Sequence, residues 1–200
     1  MKNLKPIVAK RPFTVYFDVT TGITDQMDRM VTRRLSDYQG MFLDDNALEE
    51  MLKKEDKVVC NFTELGLEEV EENLLFGTSI VYPGKVGKEY FMTKGHFHAK
   101  INLGEVYYCL SGDGMLVMET PDGDTEIVRL KPGVSVFVPG RWAHRSVNIG
   151  NAPLVTFYVF RADAGHDYET IKVKGFRKLV IENNGEPAVI DNPKWKGLSK

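Results

Sequence analysis

Residues Gly95–Leu110 read GHFHAKINLGEVYYCL. Side chains alternate along a strand, so His96 and His98 project from one face and Phe97 from the other, into packing. Two imidazoles on one wall can share an ion. In the run that follows, Glu105, Tyr107 and Cys109 share a parity, which sets the tyrosine hydroxyl beside the carboxylate if that face is the inner one. Farther on, Gly133-Val134-Ser135-Val136-Phe137-Val138-Pro139 leads through a Gly140 turn to His144, with Asn148 beyond it. Taken singly, a histidine is more often a satisfied core or surface residue than a ligand, but three of the chain's 4 histidines fall in this constellation. His96, His98, Glu105 and His144 make a mixed nitrogen and oxygen donor set, suited to Fe(II), Mn(II), Ni(II), Co(II) or Zn(II) rather than Ca(II). An octahedral ion held by four such groups keeps two positions free, enough for a substrate with adjacent oxygens.

From about Thr78 the surrounding sequence is a series of short apolar or alternating runs parted by turns such as Gly112-Asp113-Gly114 and Pro121-Asp122-Gly123. That texture predicts an all-β sandwich or barrel. Lys178 to Glu182 and Ala188 to Ile190 read as two further strands around Asn183-Asn184-Gly185. Ahead of the β-rich part, residues 46–57 (NALEEMLKKEDK) predict a short amphipathic helix capped by Asn46. The acidic stretch Glu64 to Glu72 reads as a solvated face, helix or loop. No repeat or linker interrupts the chain. The expected organisation is one domain over residues 1–200: an N-terminal extension to about 75, a core barrel with the metal site at 78–162, and a C-terminal loop and strands at 163–200.

A formal charge of −2 gives no overall positive field for nucleic acid. No apolar run is long enough to span a bilayer or to follow the basic N-terminus MKNLKPIVAKRPF as a signal segment, so no membrane role and a cytoplasmic location are expected. Cys60 and Cys109 are far apart and outside any CxxC pair, and read as two reduced, structural thiols.

The two halves of the site together resemble the cupin pattern. His96, His98, Glu105 and Gly112 match its first half; Gly133, Pro139, His144 and Asn148 match its second. The gap between His98 and Glu105 is longer than usual in cupins, and Gly140 stands one place before the family's glycine. The resemblance implies a double-stranded β-helix, the jelly-roll barrel, with a short helix and extra strands in the N-terminal extension. A narrower likeness rests on YPGKVGKEYFMTKGHFHAK, TPDGD, WAHRSVNIG, ADAGHDYETI, KGF and DNPKWK. These segments are similar to the cupin-type glucose-6-phosphate isomerases known chiefly from archaea, and the match runs from about Arg33 to the end.

That likeness implies a homodimer acting on a sugar phosphate, with His96, His98, Glu105 and His144 as ligands of one divalent metal, Fe(II) first among the candidates. It places the phosphate near Ser79, Thr93, Lys94 and Gly95, and turns Tyr107, His166 and Tyr168 toward the sugar. The residues agree in part, because Thr93, Lys94 and the Gly95 amide offer hydroxyl, cationic and backbone donors to a near-dianion. The chemistry implied is hydrogen movement between C1 and C2, through an enediolate or a hydride shift. Glu105 is the first candidate base, though metal coordination weakens it. His166 and Tyr168 are candidates for ring opening or proton shuttling. Two positions depart from the relatives: Phe160-Arg161 replaces Tyr-Pro, and Gly140-Arg141 replaces Pro-Tyr. Arg161 or Arg141 would be either a compensating donor or an exposed charge. The same four ligands also suit an oxygenase or decarboxylase, and the fold suits a non-catalytic sugar-phosphate module.

Overall fold

The computed structural model describes residues 11–26, 29–65 and 67–197. Its largest sheet has six strands in the order Arg29–Arg34, Val58–Glu64, Leu74–Val81, Leu154–Arg161, Glu105–Ser111, Ser135–Val138. A second sheet orders Ala143–Asn148, Gly114–Glu119, Thr125–Leu130. Every pairing in both is antiparallel. The two sheets form the walls of a jelly-roll barrel, and Cys109, Leu116, Val138, Val147 and Leu154 fill it. Cys60 and Cys109 are both free and buried, as expected of structural thiols.

The N-terminal strands Arg29–Arg34 and Val58–Glu64 extend the large sheet past Leu74–Val81, so residues ahead of the barrel build part of its wall. Thr78 donates to the Gly22 carbonyl and Ile80 lies against Gly22, which places the segment around Gly22 on the outer face of that sheet. Phe13 and Phe17 pack there on Phe76 and Phe157.

The predicted helix forms one residue earlier and ends sooner, as Asp45–Lys54. Its cap is Asp44 rather than Asn46, because only a carboxylate three residues before Ala47 can accept that amide, at 2.9 Å. Glu55 is extended, so the last residues of the expected helix leave it. Of the acidic stretch, Glu64 closes a strand and most of the rest is irregular. The C-terminal hairpin pairs Lys178–Asn183 with Glu186–Asp191, with Asn184 and Gly185 both at positive φ, as a tight hairpin turn requires.

The C-terminal segment is fastened by a buried cluster. Glu119 accepts from Lys174 Nζ, from the Arg177 amide at 2.7 Å and from Trp195 Nε1 at 2.8 Å. Lys174 and Glu119 are both fully enclosed. Removing one member of such a pair leaves an uncompensated buried charge. Glu119→Ala should therefore cost about 3–5 kcal/mol of unfolding free energy, read by urea denaturation. A loss below about 1 kcal/mol would show that Lys174 finds another partner.

Candidate metal centre

Four side chains from separate segments converge between the two barrel walls. His98 follows the Gly95 turn in the strand Phe97–His98, Glu105 opens Glu105–Ser111, and His144 lies in Ala143–Asn148. His96 is bridged to His144 through paired backbone bonds. One donor atom from each of His96, His98, Glu105 and His144 lies within 4.8 Å of the others. The Glu105 carboxylate is 2.9 Å from His144 Nε2 and 3.2 Å from His98 Nε2.

The imidazoles are oriented from behind. His98 Nδ1 lies 2.8 Å from the Leu103 carbonyl and His144 Nδ1 3.3 Å from that of Trp142, so each Nδ1–H donates outward and turns Nε2 to the cluster, where that of His98 lies 3.2 Å from Glu105 and gives up any proton it shares with that carboxylate when a cation binds. Nε2 of His96 and of His144 are buried without a hydrogen-bond partner, the latter near Glu105 but not aligned with it. Buried, unpartnered lone pairs converging with a carboxylate are what a cation would satisfy. The donor set thus fits one divalent metal.

Burial would push the Glu105 carboxyl up, but the adjacent His144 and His98 outweigh it and hold the pKa at about 2. Burial, reinforced by three neighbouring imidazoles, keeps His96 well below the usual histidine range, and it is neutral at pH 7. His98 is also depressed by burial, yet its bond to Glu105 wins and the net shift is upward. Tyr107 stays protonated because burial and the Glu105 charge both oppose the phenolate. Its alternation with exposed Tyr108 turns it inward, its ring 5.4 Å from that of His144.

A cavity of about 190 Å³ opens over this cluster. His96, Glu105, Tyr107, His166 and Tyr168 all line it. His166 stands at its rim with its ring 4.4 Å from that of His96 and 5.7 Å from Tyr168. Burial lowers its pKa to about 4, even though the nearby Glu105 charge opposes the shift. Thr93, Lys94 and Gly95 share a small adjoining hollow with His96, His144 and Tyr168. Thr93 Oγ1 accepts from the Ser146 amide at 3.0 Å, which pins the turn to the strand carrying His144. Ser79 stands apart from this lining, paired across the sheet with Phe62 and Thr156, its buried Oγ without a partner.

The departures noted in the sequence resolve into separate effects. Phe160 covers the site, its ring 5.5 Å from His98 and 5.4 Å from His166. Arg161 instead clasps Asp163 at 2.6 and 3.0 Å, and Arg141 lies 3.6 Å from Asp122 with over half of its side chain open, so neither serves as a donor in the cavity. Gly140 is shifted because any Cβ there would meet the Asn102 backbone at 2.3 Å, which leaves Arg141 to take the positive φ of 72°. The long gap after His98 forms a loop whose Leu103 carbonyl orients that histidine.

Sequence reasoning missed the contribution of the N-terminal strands. Arg33 lines the main cavity and the hollow at Thr93–Gly95, and Arg29, Val31, Phe62 and Glu64 complete the outer wall. The signal available was the alternation in Arg29–Arg34, which sends Arg29, Val31 and Arg33 to one face.

A family model described as glucose-6-phosphate isomerase (GPI) matches residues 32–196. The chain is 51% identical over 187 residues to the glucose-6-phosphate isomerase of Pyrococcus furiosus, covering 94% of this chain and 98% of that one. It is 35% identical to the glucose-6-phosphate isomerase of Sinorhizobium medicae, covering 92% and 88%. Among solved structures, a deletion mutant of Bacillus subtilis oxalate decarboxylase aligns at TM-score 0.39 and 27% identity over 46% of this chain and 22% of that one. Oxalate oxidase with glycolate aligns at 0.48 and 13% over 58% of each.

The low pKa of Glu105 carries a stability consequence for the metal-free protein. Lowered from 4.5 to about 2, it contributes stability that is present above 4.5 and lost as pH falls through the folded value. His96, also lowered, acts in the same direction below its own ordinary value. Urea-denaturation free energy should therefore fall with acidification below 4.5, and less steeply in Glu105→Gln than in wild type. Equal slopes would remove the carboxylate from this role.

Proposed function

The chain belongs to the glucose-6-phosphate isomerase family and interconverts glucose 6-phosphate and fructose 6-phosphate, and we propose that His96, His98, Glu105 and His144 hold the one divalent metal on which it does so. The observation that carries this reading is the pair of buried, unpartnered Nε2 atoms facing a carboxylate at the floor of a sugar-sized cavity. A divalent cation there supplies the positive charge that polarises the substrate's C1 and C2 oxygens. Fe(II) is our first assignment, with Mn(II), Ni(II), Co(II) and Zn(II) as the other ions this donor set accepts.

The phosphate is held by Thr93, Lys94 and the Gly95 amide, with Arg33 beside them, while Ser79 lies outside that hollow and supports the neighbouring wall. Arg33 supplies the cation that Arg161 and Arg141 do not bring. Tyr107, protonated and aimed at Glu105, donates to a sugar oxygen. His166 and Tyr168 face the sugar from the rim. His166, lowered by burial to about 4, is neutral at pH 7, lies outside the four-donor cluster and is a stronger base than Glu105, held at about 2, so it is the residue that accepts a proton. Phe160 closes the far side with an apolar ring, which keeps water from the reacting carbons.

Among the described residues no helix is long and apolar enough to cross a membrane. We place the enzyme in the cytoplasm, as a single domain over residues 1–200. We assign it as a homodimer, supported by Tyr108 (40% exposed) and Phe137 (68%), adjacent apolar side chains on the outer face of the large sheet. Oxygenase or decarboxylase chemistry leaves the cations at the cavity without a purpose, and a mere binding module leaves His166 without one.

Two experiments test the assignment. Turnover of fructose 6-phosphate in a coupled assay should disappear on chelation and return with added metal. His144→Ala should retain neither chelatable metal nor activity, and full turnover in that variant would sink the ligand set. A second pair separates roles. His166→Gln should lower kcat by about 10²–10⁴-fold with metal retained. Arg33→Ala should instead raise KM by about 10–100-fold, the cost of one charged hydrogen bond, with kcat changed far less.

A further inference from the structure

On the far side of the Thr93–Gly95 turn from the sugar cavity lies a larger hollow of about 430 Å³. It is enclosed by the loop Gly40–Leu43, the helix Tyr168–Lys174 and the C-terminal segment around Trp195. Arg145 lines it and is only 3% exposed. One of its N–H groups donates to the Lys94 carbonyl at 2.7 Å, and its guanidinium lies 4.3 Å over the Phe176 ring. Its Nε is buried with no hydrogen-bond partner. Glu89, the carboxylate that acts on it most strongly, is turned to the Leu43 amide at 2.7 Å, and Arg145 forms no ion pair among the described residues.

A buried guanidinium satisfied by one carbonyl and one ring is an expensive arrangement unless an anion completes it. The lining supplies the rest of an anion site. Lys172, Lys194 and Lys196 also border the hollow, and no aspartate or glutamate does. Lys194 is already committed to Asp45 and the Phe42 carbonyl, and Lys172 lies 3.8 Å from Glu169 in an exposed pair that an anion can displace, which leaves Lys196 and Lys172 to meet a headgroup. Met41, Val173 and Trp195 present accessible apolar surface to the body of a ligand.

We propose that this hollow is a second binding site, for a small organic anion with a phosphate or carboxylate head and an apolar body, and that its occupancy tunes substrate affinity through Arg145. The transmission is short. A Cβ on Gly95 would meet the Phe176 ring at 2.5 Å and the Arg145 Cβ at 2.9 Å, so the phosphate-side turn rests directly on both residues. Lys94 is held by the same guanidinium, and Arg145 follows His144 in the strand. An anion that draws Arg145 toward the hollow therefore shifts the donors that hold the substrate phosphate.

Calorimetric titration of phenyl phosphate into metal-loaded enzyme already saturated with fructose 6-phosphate tests the site. One further equivalent per chain should bind, and it should change KM for fructose 6-phosphate by about twofold or more with kcat unchanged. Lys172→Glu and Lys196→Glu, both exposed, should weaken that equivalent by about fivefold each. Arg145→Lys, which keeps the charge but loses the fork, should abolish it; the two surface variants decide the matter if this one does not fold. Benzoate and inorganic phosphate, run in parallel, distinguish a carboxylate from a phosphate head and show whether the apolar body matters. The proposal is overturned if phenyl phosphate binds only in competition with fructose 6-phosphate, or if the second equivalent is equally tight in both lysine variants.

Discussion

The site depends on keeping one carboxylate and three imidazoles out of water at a fixed separation. Enclosing Glu105 costs several kcal/mol of desolvation, and the carboxylate remains ionised because His144 and His98 stand within 2.9 and 3.2 Å. His96 faces the opposite demand, since burial favours its neutral form, and a cation needs the lone pairs of all three imidazoles. Both demands are met by the same backbone carbonyls, those of Leu103 and Trp142, which take the Nδ1 protons and turn Nε2 inward. The cluster is thus built for a cation by main-chain atoms as much as by its four named donors.

Antiparallel registry delivers those donors. His96 bridges to His144, His98 pairs with His166, and Glu105 pairs with both Val138 and Phe160. Each of the four donors therefore has its backbone fixed by a partner across a strand pairing or bridge, and displacing one strand by a residue would turn its set to the wrong face. Gly140 shows how tight this is. Asn102 occupies the space a side chain would need there, so the flexible residue sits at 140, and Arg141 bears the left-handed backbone at a cost of about 1 kcal/mol.

The parts of this arrangement that were legible in the sequence are those set by period-two alternation and by short-range turn chemistry. His96 with His98, Glu105 with Tyr107, and the hairpin at Asn184-Gly185 all follow from neighbours in the chain. The helix cap moved from Asn46 to Asp44 because two adjacent candidates compete and only the spacing to a free amide chooses between them. The outer wall was harder to see. Arg33 and Phe62 reach the cavity only because Arg29–Arg34 and Val58–Glu64 add to the far edge of the barrel sheet, a long-range pairing that no local pattern announces. The same holds for Arg145, which lies beside His144 in sequence but serves the opposite side of the Thr93–Gly95 turn in space.

That turn links the two faces of the barrel wall. In front, Thr93, Lys94 and Gly95 border the sugar cavity; behind, Arg145 and Phe176 support Lys94 and Gly95. Phe160 brings no donor to the cavity, and the cations beside it are Arg33 and Lys94. Lys94 is held down by partial burial and by the nearby Arg33 charge, so the two cations repel each other until an anion lies between them. A substrate phosphate held between them, as proposed, would relieve that repulsion and bind more favourably than its hydrogen bonds alone provide. The backbone that places Lys94 is in turn fixed by a guanidinium with unmet bonding capacity of its own. With the phosphate placed as proposed, substrate affinity would be sensitive to Arg145 even though that residue does not line the main cavity.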